Sequence, residues 1–264
     1  MSFFPLKLDG RKALISGSTQ GIGFAAAQAL AELGVSCTLL ARNEESLKAA
    51  VAALKTGSGQ VHGYLVADFS DAETVRTVAE AFFATRQVDI LINNTGGPAA
   101  GPIADAKTNA FEAAFSQHLI CNHILTTAAM AGMKAAGWGR VINVISTSVK
   151  IPLRGLGVSN TIRGAVASWA KTMANELAPF GITVNNVLPG ATSTARLDAI
   201  IGNKAGKTGA SKDEVSGEML EEIPAKRFGR PEEIAAVIAF LASEAAGYVN
   251  GTSIPVDGGR TGSI

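Results

Sequence analysis

The stretch Ala13-Leu14-Ile15-Ser16-Gly17-Ser18-Thr19-Gln20-Gly21-Ile22-Gly23 decides the architecture: a short apolar run passes into a glycine-rich turn and then into an Ala-rich segment of helical period reaching about residue 33. A strand, turn and helix in that order bring free backbone N–H groups and the positive end of a helix dipole to one spot, where a phosphate can sit. Gly17 and Gly21 permit the turn and the close approach, and Gly23 permits tight packing. The spacing is Gly-x3-Gly-x-Gly, not the Gly-x-Gly-x-x-Gly of larger dinucleotide-binding domains, and a glycine turn alone can be purely structural. Its place after the first strand makes Gly17, Ser18, Thr19, Gln20, Gly21, Ile22 and Gly23 a candidate pyrophosphate cradle.

Outward from this turn, runs rich in Val, Ile and Leu at 13–16, 35–41, 61–66, 90–93, 141–146, 183–188 and 253–256 alternate with longer segments of helical period. That alternation predicts an α/β fold of Rossmann type, a doubly wound parallel sheet of seven strands with helices on both faces. Helix starts are signalled by Ser70 with Glu73, by Asn109 with Glu112, and by Pro231 followed by Glu232 and Glu233. Long middle helices are expected over 109–136 and 158–178. The stretch 192–224 mixes Gly, Lys, Ser and Glu with short apolar pieces, and reads as a mobile lid on a single domain spanning 1–264.

The 264 residues, 47% of them hydrophobic, suffice for one core, and 23 basic against 22 acidic side chains leave a net charge of +1 with no long run of either sign. Neither nucleic acid nor a membrane is expected as partner. No apolar stretch approaches the ~20 residues needed to cross a bilayer, and residues 1–11 lack the pattern of a signal peptide, so a cytoplasmic protein is expected. Cys37 and Cys121 sit in apolar strand and helix patterns and read as small core residues. Three scattered histidines and two separate cysteines offer no metal-ligand spacing, and no Gly-x-Ser-x-Gly elbow supports a serine hydrolase.

The second strand ends in Ala41-Arg42-Asn43, without the acidic residue that would hydrogen-bond the ribose 2′-hydroxyl of NAD. Arg42 can pair with a 2′-phosphate or stand as an ordinary solvated side chain; the first reading prefers NADP(H), with NAD(H) possible.

In this order the motifs resemble the short-chain dehydrogenase/reductase family from Leu8 to Gly259, and within it proteins like the 3-oxoacyl-acyl carrier protein reductases. Asp68, next to Phe69, resembles the family's adenine-contacting acid, and Asn93-Asn94-Thr95-Gly96 its Asn-Asn-Ala-Gly motif with one change. Pro189-Gly190 with Thr192 and Thr194 resembles the nicotinamide-side loop, Arg227-Phe228-Gly229-Arg230-Pro231 the entrance to the last helix, and Val256-Asp257-Gly258-Gly259 the closing segment. The resemblance implies an oxidoreductase that binds the dinucleotide along these residues and assembles as a homodimer or homotetramer.

The catalytic positions depart from that pattern. The family donates a proton from a tyrosine four residues before a lysine, beside a serine that polarises the carbonyl. Aligning Gly164-Ala165-Val166-Ala167-Ser168-Trp169-Ala170-Lys171 with the segment after the family lysine places Ser159 at the tyrosine position and Arg163 at the lysine position. Ser146, thirteen residues before Ser159, keeps the serine, and His118 stands where the family has a helix asparagine that orders a relay water. Arg163 can still clamp a ribose but is too basic to lose a proton; Ser159 is a poor acid without help. His118 is either a proton donor or relay, since imidazole titrates near neutral pH, or a polar filler. His62 and His123 have weaker claims, Lys150 and Arg154 are pocket or solvent residues, and Tyr64 and Tyr248 read as packing. The pocket walls, 96–104, 150–157 and the lid, are small and apolar, which favours a neutral carbonyl or alcohol substrate. The alternative is an NADP(H)-binding protein without ordinary turnover, a sensor or a silent oligomer partner.

Overall fold

The computed structural model describes residues 6, 8–57 and 59–263; the opening segment 1–11 therefore lies partly outside the described residues. Seven parallel strands form one sheet: β1 (Lys12–Ser16), β2 (Ser36–Ala41), β3 (Gly63–Val66), β4 (Ile90–Asn93), β5 (Gly139–Val144), β6 (Ile182–Pro189) and β7 (Ser253–Val256). These are the seven apolar runs of the sequence, each within about two residues at its ends, as expected when both faces of a strand must be buried. Their order, β3-β2-β1-β4-β5-β6-β7, reverses between β1 and β4 and opens a crevice at the carboxyl ends of the strands, where such sheets bind ligands.

Nine α-helices flank the sheet: α1 (Gly21–Glu32), α2 (Glu44–Ala52), α3 (Ala72–Phe83), α4 (Thr108–Phe115), α5 (Cys121–Ala136), α6 (Gly157–Leu177), α7 (Ala195–Thr208), α8 (Lys212–Glu221) and α9 (Pro231–Ala242), counted among the described residues. One face of the sheet packs on α1, α2 and α9 through side chains such as Leu30, Leu47 and Ile238. The other packs on α3, α5 and α6 through Val75, Leu125 and Ala174. Each fully buried Leu or Ile contributes about 1.5–3 kcal/mol, so the two cores dominate the stability of the sheet. The stretch read as a lid carries α7 and α8, which close on a small apolar cluster of their own, Leu197, Ile201, Ala205 and Val215.

Two helix starts differ from the sequence reading. The Asp68 carboxylate takes the Ser70 N–H into a turn, so α3 begins one residue later and Asp71, not Ser70, accepts the N–H groups of Glu73 and Thr74. Asn109 does not cap α4 either: the helix already begins at Thr108, after Lys107, with no side-chain cap. At α9 the expectation holds, with Pro231 first and Glu233 accepting the Arg230 N–H at 2.8 Å. Between α4 and α5 the chain widens into a π-helical turn, Ser116–Ile120, which carries His118.

A row of side-chain amides crosses the sheet just below the crevice. Asn93 Nδ2 donates to Asn143 Oδ1 at 2.9 Å, Asn143 Nδ2 to Asn186 Oδ1 at 3.0 Å, and Asn186 Nδ2 to Ser253 Oγ at 3.1 Å. These residues are register partners on β4, β5, β6 and β7, so one slip anywhere would break the row. Cys37 and Cys121 are buried and free, their thiols pushed up by burial to about 12 and about 11. Tyr64 hydrogen-bonds Glu44, whereas Tyr248 is fully exposed: the packing expected of it is absent, because the turn after α9 carries it away from both cores. Among the described residues no helix is long and apolar enough to cross a membrane, and no group of three or more His, Cys, Asp or Glu is placed to hold a metal ion.

Candidate active site

The glycine turn has the geometry of a backbone-only anion site. Gly17 and Gly21 take left-handed backbone conformations, φ 58° and 56°, open to glycine and strained for other residues. A Cβ on Gly23 would lie 2.2 Å from the Gly17 carbonyl, and one on Gly17 would lie 2.6 Å from the Asn94 carbonyl. Gln20 caps α1 with no side-chain hydrogen bond, and the first turn holds no acidic residue, so the leading N–H groups keep their full capacity for an anion. Ser18 turns inward, its Oγ accepting the Leu40 N–H at 3.1 Å; only its backbone faces the crevice.

The surrounding residues fix this turn. Asn94 donates from Nδ2 to the Gly17 carbonyl at 3.0 Å, and its own N–H donates to Ser16 Oγ. Arg42, at the tip of β2, is exposed, and no hydrogen bond or ion pair engages it among the described residues. Asn43 spends its side chain capping α2, accepting the Ser46 N–H at 2.8 Å. Asp68 is half-buried at the end of β3, and Phe69 is buried beside it, its carbonyl facing the Cys121 thiol. Thr95 is half-buried and Gly96 exposed where the chain leaves β4. A dinucleotide laid along β1 to β4 meets a cradle that no Cβ obstructs, which is the fit such a group requires.

On the other flank, the Gly190 N–H donates to the Val256 carbonyl, and Thr192 Oγ1 to the Gly190 carbonyl, just past Pro189. Thr194 caps α7, and its methyl stands 3.3 Å from where a Gly21 Cβ would be, so the start of α7 overhangs the glycine turn. The glycine turn and the loop 189–194 thus share one crevice.

The remaining candidates gather at the end of β5. Ser146 is half-buried and accepts the Ser148 N–H at 3.1 Å, which leaves its own O–H free to donate. Arg163, on α6, donates from Nη1 to the Val144 carbonyl at 3.2 Å, two residues before Ser146, while its Nε is buried with no partner. Ser159 lies one turn earlier on α6, half-buried. Burial, then the charge of Arg196, draws the Arg163 guanidinium down to about 10, so it stays protonated at neutral pH.

His118 differs from expectation. It is 1% exposed, both ring nitrogens lack a partner, and no hydrogen bond joins it to Ser146. Burial, then the charges of Arg163 and Arg196, hold its pKa down at about 2. This runs against the titration near neutrality expected from the sequence: burial and the two nearby guanidinium groups disfavour the imidazolium form. His62 is structural, its Nδ1 accepting the Cys37 N–H, and His123 pairs with the Trp169 indole. Lys150 and Arg154 are exposed, and no described hydrogen bond or ion pair engages either side chain.

One site residue escaped the sequence reading. Arg196, second residue of α7, donates from Nη2 to the Pro98 carbonyl at 2.7 Å and so bridges α7 to the loop after β4. Its signal was present: a cation in the first turn of a helix works against the dipole. The same loop is tied on its far side, where the Gly101 N–H donates to the Gly155 carbonyl at 2.7 Å.

Comparison with known proteins agrees with this geometry. A family profile described as enoyl-(acyl carrier protein) reductase matches residues 17–261. The short-chain reductase NovJ of Streptomyces niveus is 32% identical over 94% of this chain and 93% of its own. The NADPH-dependent reductase BacG of Bacillus subtilis is 32% identical over 97% of this chain and 100% of its own. The crystal structure of L-sorbose reductase from Gluconobacter frateurii, complexed with NADPH and L-sorbose, superposes with a TM-score of 0.91 at 29% identity, covering 98% of this chain and 100% of that one.

Proposed function

The chain belongs to the short-chain dehydrogenase/reductase family, and from that premise we propose that it is an NADP(H)-dependent oxidoreductase that reduces a small-molecule carbonyl or oxidises the corresponding alcohol with an atypical catalytic set. The observation that carries the reading is the glycine cradle: close backbone approaches at Gly17 and Gly23 beneath an uncapped, acid-free helix start. Arg42, exposed and unengaged at the tip of β2, supports a 2′-phosphate contact, and the NADPH of BacG and of L-sorbose reductase agrees with that choice. Gly17, Gly21 and the first turn of α1 would hold the pyrophosphate, Asp68 the adenine side, and Pro189, Gly190, Thr192 and Thr194 the nicotinamide side.

When bound, the nicotinamide supplies or accepts the hydride. Ser146 donates its free O–H to the substrate oxygen and draws charge onto it. Arg163 holds the nicotinamide ribose through the N–H groups left over from its bond to Val144. Ser159 is too weak an acid to replace a tyrosine, and neutral His118 keeps an N–H that can donate a hydrogen bond but is no acid at neutral pH, so the proton comes from bulk solvent, relayed by a water admitted through the crevice. The helices α7 and α8 act as the lid, and the assembly is a homodimer or homotetramer.

The first experiment is titration with NADPH and NADH followed by tryptophan fluorescence and thermal shift. Binding of NADPH in preference to NADH supports the cofactor reading, and binding of neither sinks it. A carbonyl panel then distinguishes turnover abolished by Ser146→Ala from the second reading, a sensor that binds NADPH and oxidises it with no substrate. The absence of the family tyrosine keeps that second reading in play; Ser159→Tyr with Arg163→Lys should start or raise ketone reduction if only the acid is missing.

A further inference from the structure

Two buried side chains with unsatisfied nitrogens act on one another. Among the described residues, four buried side-chain nitrogens have no partner: Trp138 Nε1 lies apart, and the other three are Nδ1 and Nε2 of His118 and Nε of Arg163, whose charge acts on His118. Both residues are more than nine-tenths buried, at 1% and 7% exposure. A Cβ placed on Gly97 would meet Arg196 Nη2 at 3.3 Å and Arg163 Nη2 at 3.8 Å, so the two guanidinium groups flank one small opening with no side chain in it.

The charge around this opening is one-sided. The groups that act on His118 are Arg163 and Arg196, and the one that acts on Arg163 is Arg196; among the described residues no carboxylate opposes them. The molecule's ion pairs lie elsewhere, and among the described residues neither arginine takes part in one. A buried guanidinium is ordinarily matched by an acid because an uncompensated charge in a dry site is costly. The ribose hydroxyls that Arg163 would hold are neutral, so the charge of the two arginines is balanced by no acid among the described residues.

We propose that the substrate carries a carboxylate, received at Gly97 between Arg196 and Arg163, with His118 as a neutral hydrogen-bond donor beneath it. This rests on reading the crevice as the substrate side of a reductase and replaces the neutral substrate suggested by its small, apolar walls. A carboxylate fits better than a phosphate because a planar guanidinium fork matches two coplanar oxygens, and the dinucleotide's phosphates are already provided for at β1 and β2. Glycine at position 97 is then required for room, and Arg196, carried on α7, brings the lid to the anion, so binding the acid closes the cleft through the same bridge that now runs to Pro98.

The test uses isothermal titration of the full chain, first with NADP+, then in saturating NADP+ with 2-oxopentanoate, its methyl ester and inorganic phosphate. The oxo acid should bind at least about tenfold tighter than either the ester or phosphate, and Arg196→Gln should weaken the acid about 10- to 100-fold while leaving the ester unchanged, as expected for hydrogen bonds to a charged group. Equal affinities for acid and ester, no binding of the acid, or an acid affinity indifferent to Arg196→Gln overturns the carboxylate site. Phosphate binding as tightly as the acid overturns the choice of carboxylate. Failure of NADP+ to bind in the first step would instead sink the cofactor reading, so the two failures are told apart. Arg196 is a surface side chain, so its variant tests the site without loss of the fold.

Discussion

The two halves of the crevice treat their polar atoms in opposite ways. Along β1 and β4, Ser16, Ser18 and Asn94 are each hydrogen-bonded to backbone, and the ligand surface is made of main-chain N–H groups. Beyond β5, His118, Arg163 and Ser148 present buried side-chain atoms with nothing to bind. A satisfied half can be kept by backbone shape alone, whereas an unsatisfied half has side-chain atoms left over for a partner. On the proposed function, the difference teaches that the cofactor side is preformed and the substrate side is completed by what enters it.

Several changes would break or sharpen this contrast. The largest effect should come from Gly23→Ala, whose Cβ has no room against the Gly17 carbonyl: NADPH binding should weaken by about 100-fold or more, roughly 3 kcal/mol, read by fluorescence titration. If binding survives, the cradle is not rigid. Asn143→Leu keeps the branching but strands the Asn186 oxygen and one Asn93 bond, and should cost about 2–3 kcal/mol, seen as a lowered Tm.

His118 offers a pH test. Its folded pKa is held below that of the unfolded chain, so the unfolded state binds the extra proton and stability is lost as pH falls below about 6.5 towards 2. Each pH unit in that window should cost up to ~1.4 kcal/mol, and His118→Leu should remove that component of the acid sensitivity while stabilising the protein at neutral pH. An unchanged difference between the two proteins from pH 6 to pH 4 would show that the ring is hydrated after all. The smallest effect is expected from Arg42→Ala, which should lower the preference for NADPH over NADH about tenfold, at the low end for a charge-assisted bond at an exposed position.

Much of the first half was legible in the sequence because its signals are local. An apolar run, a glycine turn and an Ala-rich helix are neighbours in the chain, and backbone conformation follows from them directly. The second half was legible only as residue identities. The sequence reading sets Ser159 and Arg163 at the positions expected of the family's tyrosine and lysine from spacing alone, but the neutrality of His118 depends on burial, on Arg163 and on Arg196, 78 residues away in the chain. The asparagine row was missed for a related reason: Asn93, Asn143 and Asn186 sit in three separate apolar runs, and only strand register brings them side by side. Asp71 in place of Ser70 as the α3 cap turned on competition, since the Asp68 carboxylate had already claimed the Ser70 N–H.

That asparagine row also has a direction. Every amide donates towards β7, from Asn93 to Asn143 to Asn186 to the Ser253 hydroxyl, and the oxygen of Asn93 at the upstream end is left over. Reversing Asn143 alone would set donor against donor at Asn93 and acceptor against acceptor at Asn186, so its orientation is tied to that of both neighbours. The side chains of four strands thereby share one orientation of dipoles, running from β4 to β7.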